Sequence, residues 1–221
     1  MSEPFPPVII RPYRLPDRFA LREIACDTAE RGEPVETFFH DRELVADLLT
    51  SYYTDFNPEA VWVAESEGRV VGYLTGAFDA SHHDRLTLRS VLPGALARAL
   101  GRGVIFHADT WRLIGSGLAT GWVGGWQRRI PLKEYPAHLH INIRAGQRGR
   151  DIGRKLMESF LQQLKANSLP GVHAVARGDN QGSGHFFKRM GFSVQGRQPV
   201  VFVEGKGFKK NETVVYVKKL A

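Results

Sequence analysis

Residues His138–Met157 read HLHINIRAGQRGRDIGRKLM. The first six alternate: His138, His140 and Asn142 share one parity, and Leu139, Ile141 and Ile143 the other. A period of two describes a strand with two different faces. From Arg154 to Ala166 the apolar residues Leu156, Phe160, Leu161 and Leu164 recur at three-to-four spacing, which describes a helix. Between the two lies a loop holding Gly146, Gly149 and Gly153 beside Arg148, Arg150, Arg154 and Lys155. Glycines let a backbone turn tightly and aim several amide N–H groups at one point. The helix start adds its positive end. Such a loop suits an anion; the alternative is a tight turn with solvated arginines. Its spacing fits neither the Walker loop nor G-x-G-x-x-G. Asp151 places an acid in its middle. Amide-based binding is expected to survive in weakened form, because aspartate keeps its N–H and tolerates positive φ better than most residues. Its carboxylate must then turn away, towards Arg148, Arg150 or Arg154.

Working outward, GVHAVA (Gly171–Ala176) is the strand that closes this crossover, and Gln181–Met190 is a helix ended by Gly191. FSVQGR, PVVFVEG and TVVYVKKL supply the last strands. Towards the N-terminus, VIIRPY (Val8–Tyr13) is a strand. A helix opens at Pro16-Asp17, with Phe19, Leu21, Ile24 and Ala25 as its apolar stripe. A second helix starts near Asp41 and stops before Asn57-Pro58. AVWVAES and RVVGYLTGAF flank Glu67-Gly68 as an antiparallel hairpin. Intermixed strands and helices with one crossover predict a single α/β domain over residues 1–221, with a mixed sheet. Residues 79–134 fit none of these units and read as an insertion, with helix over parts of Leu92–Gly103 and Thr110–Ala119. It carries Trp111, Trp122 and Trp126 with Arg112, Arg128 and Arg129, and is expected to lid the site, form a dimer contact or add a helical layer. His82-His83 is expected in a loop. Lys206, Lys209, Lys210, Lys218 and Lys219 read as a solvated sheet edge.

A net charge of +7 attracts polyanions without choosing among them. The lone Cys26 excludes an intrachain disulfide, fits a cytoplasmic location and reads as helix core. MSEPFPPVIIRP has no basic n-region or long apolar run, so no signal peptide is expected. Leu113–Gln127 is too short and glycine-rich to span a membrane, and no membrane partner is expected.

The order of these motifs resembles the GCN5-related N-acetyltransferase (GNAT) family. Arg148-Gly149-Arg150-Asp151-Ile152-Gly153 is similar to the family's Arg/Gln-x-x-Gly-x-Gly/Ala loop, with Asp151 replacing its first glycine. Asn180 and Phe186-Phe187-Lys188-Arg189-Met190-Gly191-Phe192 resemble its downstream asparagine and Phe-Tyr-x-x-x-Gly-Phe, with Phe187 where tyrosine is usual. IRPYRLPD and VWVAESEGRVVGYLTG resemble its opening strands, and HLHINI looks similar to the bacterial branch related to O-GlcNAcase-type acetyltransferase-like domains. The resemblance implies a mostly antiparallel central sheet flanked by helices, with the insertion between its third and fourth strands. It implies acetyl-CoA as cosubstrate, no metal, and acetyl transfer to a small-molecule or peptide amine by direct attack in a ternary complex. The amides of Arg148–Arg154 would hold the pyrophosphate. The splayed end of the strand, with Ile141 and Ile143, would pair with the pantetheine, and an N–H near Ile143 would face the developing oxyanion. Asn180 and Phe187 would complete the cofactor site.

His140, nearer the loop, and His138 are candidate general bases. A hydrogen-bonded structural role for either stays open, and zinc binding by the pair lacks further ligands at suitable spacing. Glu65 and Glu134 are further bases. Phe187 cannot donate a proton, so Tyr135 and Tyr216 are candidate acids. Phe187 and Asp151 also allow a non-catalytic acetyl-CoA-binding module. The charge alone would allow a nucleic-acid binder, but no aromatic-interleaved basic motif accompanies it, and nucleic acid is not expected as a partner.

Overall fold

A computed structural model describes residues 6–30, 32–125 and 130–220. Trp126, Arg128 and Arg129 lie outside the described residues. The elements are β1 (Ile9–Pro12), α1 (Arg18–Asp27), α2 (Arg42–Phe56), β2 (Val61–Ser66), β3 (Arg69–Ala77), α3 (Ala80–Leu86), α4 (Leu92–Gly101), α5 (Ala108–Trp122), β4 (Ala137–Ile143), α6 (Ile152–Ala166), β5 (Gly171–Arg177), α7 (Gln181–Arg189), β6 (Ser193–Glu204) and β7 (Gly207–Lys219). The seven strands form one sheet in the order β1-β2-β3-β4-β5-β7-β6. The β4–β5 pair is parallel and the other pairs are antiparallel. A parallel pair needs a crossover, and α6 supplies it.

Strand alternation sorts the core into two layers. Ala64, Leu74, Leu139 and Ala174 face α6, which presents Leu156, Phe160 and Leu164. Val61, Val63, Tyr73 and Ala77 face α1 and α2 through Leu21, Ile24, Tyr52 and Tyr53. Phe160 is wholly buried, which contributes about 2–3 kcal/mol by area removed from water.

Several expectations need correction. Phe19 is 73% exposed, because α1 turns Leu21, Ile24 and Ala25 inward and leaves position 19 on the far side. FSVQGR and PVVFVEG form one strand, β6, interrupted only by a bulge between Val194 and Gly196. Lys218 and Lys219 do not sit on an edge strand: β7 lies between β5 and β6, and β6 is the edge. Lys209 and Lys210 stand on the part of β7 beyond Thr213, where β5 no longer pairs with it. His82 and His83 belong to α3, whose N-cap Asp79 accepts from the backbone N–H groups of Ser81 and His82.

The insertion is helical: α3, a π-turn at Thr87–Val91, α4 and α5. Helix α5 lies along the free edge of β6. Ser116 Oγ donates to the Val201 carbonyl at 2.5 Å, and Val201 N–H donates to Thr120 Oγ1 at 2.9 Å. Both edge-facing backbone groups of Val201 are thereby satisfied, which blunts a strand that would otherwise pair with another chain. His40 Nδ1 and Asp109 (2.7 Å) tie the start of α5 to the loop before α2, and the His107 ring stacks on His40.

Candidate active site

The cleft exists because β4 and β5 part company. Their ladder runs through Ala137–Val172, His138–His173 and Leu139–Ala174 and then stops, while β4 continues to Ile143. Arg144 N–H donates to the Val71 carbonyl at 3.0 Å, which sets the phase of the β3–β4 ladder. Hydrogen-bonded pairs alternate along an antiparallel ladder, so Asn142 and His140 also point their backbone groups at β3. Ile141 and Ile143 therefore point theirs into the gap that β5 has left. Their side chains pack against the α6 layer, and His138 and Asn142 lie on the α1–α2 face, where Asn142 Nδ2 donates to the Tyr73 hydroxyl at 2.8 Å. The resulting cleft measures about 630 Å³, a fair size for a drug-sized ligand.

At its mouth stands the glycine-spaced loop. Gly149 has φ +80° and Asp151 has φ +62°, so both occupy the left-handed region. Asp151 is the N-cap of α6, yet its side chain caps no helix N–H. Its carboxylate turns outward to Arg154, whose Nε lies 2.8 and 2.9 Å from its two oxygens. That pairing holds the Asp151 pKa below the usual carboxylate range. The first amides of α6 have no partner within the helix and stay available to an anion. Gly153 is needed for close approach: a Cβ there would lie 3.1 Å from the Phe186 ring and 3.4 Å from Ile143. Arg148 lines the cleft with its guanidinium against Gly32. The other arginines are committed elsewhere. Arg150 bonds to Gln147 and the Pro6 carbonyl, and Arg154 bonds to Asp151 and Glu158. Ile152 contributes its side chain to the core.

At the inner end, imidazoles gather. His140 is open to the cleft, whereas His138 and His173 are buried. His83 comes from α3 and stacks on Tyr53 of α2, with its ring 4.4 Å from that of His138; the His138 and His140 rings are 5.7 Å apart. The Tyr53 hydroxyl lies 2.8 Å from His138 Nε2. Burial pushes the Tyr53 pKa well up, so it stays a phenol. His173 Nδ1 donates to the Tyr135 carbonyl at 2.8 Å. Beyond these rings a second hollow of about 280 Å³ is lined by His83, Asp84, His138, His140, His173 and Gln198. His140, His83, Leu139 and Val175 line both spaces. His140 thus stands between two chambers.

Desolvation deep in the fold lowers the His140 pKa to about 4, and the fields of His83 and His173 push the same way. Its ring surface still meets the open cleft. Water there offsets part of the desolvation, and His140 is neutral at pH 7.

Helix α7 forms the opposite wall. Asn180 is its N-cap, with Oδ1 accepting from Ser183 N–H at 3.1 Å. Asn180, Ser183 and Phe187 all line the cleft, with Ser183 and Phe187 one turn apart. Phe187 stacks on Tyr216, their centroids 5.0 Å apart. Tyr216 and Tyr135 are buried, and neither lines the cleft or the hollow. Tyr135 packs with Val215 and Val217 and offers the site only its carbonyl. Glu65 pairs with Arg11 and Glu134 with Lys219, both away from the cleft. Burial pushes the Cys26 thiol up to about 11, as suits a core residue. The sequence reading missed His83, Tyr53 and Ser183. Only Ser183 carried a local signal, its i to i+4 spacing from Phe187.

No helix among the described residues is long and apolar enough to cross a membrane. Similar folds occur among solved structures. SsHAT aligns with TM-score 0.73 at 24% identity, covering 98% of this chain and 100% of that one. An N-acetyltransferase from Staphylococcus aureus Mu50 aligns with TM-score 0.59 at 14% identity, covering 97% and 99%. The phosphinothricin acetyltransferase (Pat) of Sinorhizobium meliloti, a GNAT superfamily member in complex with acetyl-CoA, aligns with TM-score 0.57 at 16% identity, covering 97% and 89%. The family model for the acetyltransferase (GNAT) family matches residues 20–192, and the chain therefore belongs to that family.

Proposed function

We propose that this protein transfers an acetyl group from acetyl-CoA to an amine by direct attack in a ternary complex. The observation that carries this reading is His140 standing between two chambers, at the point where the β4–β5 ladder ends. Acetyl-CoA, when bound, supplies an activated thioester in the larger cleft. The loop amides from Gly149 to Gly153, with Arg148, take the pyrophosphate, and Ile143 pairs with the pantetheine. Ile141 is the first residue past the end of the ladder whose N–H faces the gap, so it is the donor for the oxyanion. The amine comes through the histidine-lined hollow. As its nitrogen bonds the carbonyl carbon, it becomes acidic and passes a proton to His140. The C–S bond then breaks. A thiol has a pKa near 8.5, so the thiolate leaves without full protonation, which lessens the loss of the usual tyrosine at Phe187. Ser183 is the hydroxyl on α7 placed to assist.

Calorimetric titration with acetyl-CoA, followed by a free-thiol assay over a panel of small and peptide amines, tests the reading. Saturable binding at one site per chain, with amine-dependent thiol release, is the expected result. Absence of binding at near-millimolar acetyl-CoA would sink it. Ser183→Ala should lower kcat by about fivefold and leave acetyl-CoA affinity unchanged, within the range of modest proton-transfer assistance. An unchanged kcat would remove Ser183 from the proton path.

A second reading, a non-catalytic acetyl-CoA-binding module, is favoured by Phe187 and by the weak basicity of His140. It expects the same titration and no thiol release with any amine.

A further inference from the structure

Helix α5 is turned inside out. Trp111, Ile114, Leu118 and Trp122 fall within about 80° of one another at 100° per residue. They are 62%, 46%, 64% and 93% exposed. The opposite face, with Ser116 and Thr120, is the buried one, and its hydroxyls bond to the backbone of Val201. A surface helix normally buries its apolar stripe. Here the stripe points outward because the inner face is committed to the β6 edge. Trp111 Nε1 donates to the Ile105 carbonyl at 2.9 Å, so Ile105 and Phe106 (85% exposed) extend the patch at that end.

We propose that this face binds a second copy of the chain in a two-fold dimer, with α5 packed antiparallel against its mate. At the ~150–250 Å² that a large aromatic side chain offers, and less for an aliphatic one, the six side chains together expose roughly 600–800 Å². That lies at or above the ~300–600 Å² typical of the largest patch on a monomer. Its upper end matches the ~800 Å² that each partner contributes to a stable interface. The stripe is also self-complementary. Its midpoint falls between Ser116 and Gly117, so an antiparallel two-fold sets each Trp111 against the partner's Trp122. It sets each Leu118 against the partner's Gly115 and the Phe208 ring that covers it. A helix lying on a membrane carries a free basic face opposite its apolar one. The opposite face of α5 is occupied by β6, which favours the protein partner.

Light scattering and sedimentation on the full chain should give twice 24.8 kDa at micromolar concentration. Leu118→Glu should give the monomer mass with an unchanged circular-dichroism spectrum. Leu118→Cys should cross-link through a short bismaleimide, whereas Phe19→Cys, on α1 and somewhat more exposed, should not; native Cys26 is buried and silent. A wild-type chain that is monomeric at about 100 µM, well above a micromolar Kd, overturns the proposal. So does a Leu118→Glu chain that stays dimeric, or cross-linking at position 19 without cross-linking at 118. A monomer that pellets with anionic phosphatidylserine vesicles also overturns it and gives the face to a membrane.

Discussion

His140→Ala should lower kcat about a hundredfold while leaving acetyl-CoA affinity within about twofold, the low end of what removing a general base costs. The low end follows from basicity. A base whose pKa lies below the usual imidazole value is unprotonated at pH 7 but pulls more weakly on a proton. It becomes useful only once the C–N bond has formed and the nitrogen is acidic. The pH profile separates this role from a structural one. An ordinary histidine base would cut kcat/KM below about pH 6.5. His140 should hold activity below that. Stability moves the same way. The folded-state pKa lies below the unfolded value, so between the two the unfolded chain binds the extra proton. Stability therefore falls as pH drops through that window and does not change above it. His140→Ala should flatten this part of an acid melt. An alanine variant with full kcat would leave the amine's proton to water or to another group.

The residues that frame His140 show what a sequence can and cannot carry. The alternation of HLHINI placed His138, His140 and Asn142 on one face, and the same alternation fixes their faces in the sheet. The loop and α6 were equally legible, since glycines, basic residues and a helical stripe are local signals. That Asp151 would turn away was readable, but three arginines were open to it; Arg154 takes it because residues i and i+3 meet on a helix start. His83 was not readable. It reaches the site only because α3 docks beside Tyr53, and that docking depends on an insertion with no counterpart in the motif. The orientation of α5 was hidden for a different reason. Periodicity shows that a helix has an apolar stripe but not which way the stripe faces, and here the hydroxyls of Ser116 and Thr120 decided it by capping Val201. Phe19 failed in the opposite direction: a hydrophobic residue near a stripe need not belong to it.

Asp151→Gly should tighten acetyl-CoA binding about threefold at low salt. The carboxylate stands at the N-terminus of α6, where the pyrophosphate charge would be held, although Arg154 masks part of it. A left-handed φ of +62° costs a side-chain-bearing residue about 1 kcal/mol, but the ligand-free chain already carries that cost, so glycine returns it to folding stability and not to binding. Asp151→Asn isolates the charge, because asparagine keeps a side chain that tolerates the left-handed region. Its gain should match that of glycine at about threefold, and both should fade at about 0.5 M salt, where exposed charges are screened within a few ångströms. Only the glycine variant should also melt higher. Affinity unchanged in both variants would mean that the anion does not lie against these amides. Arg148, which already lines the cleft beside Gly32, would then have to be its principal anchor.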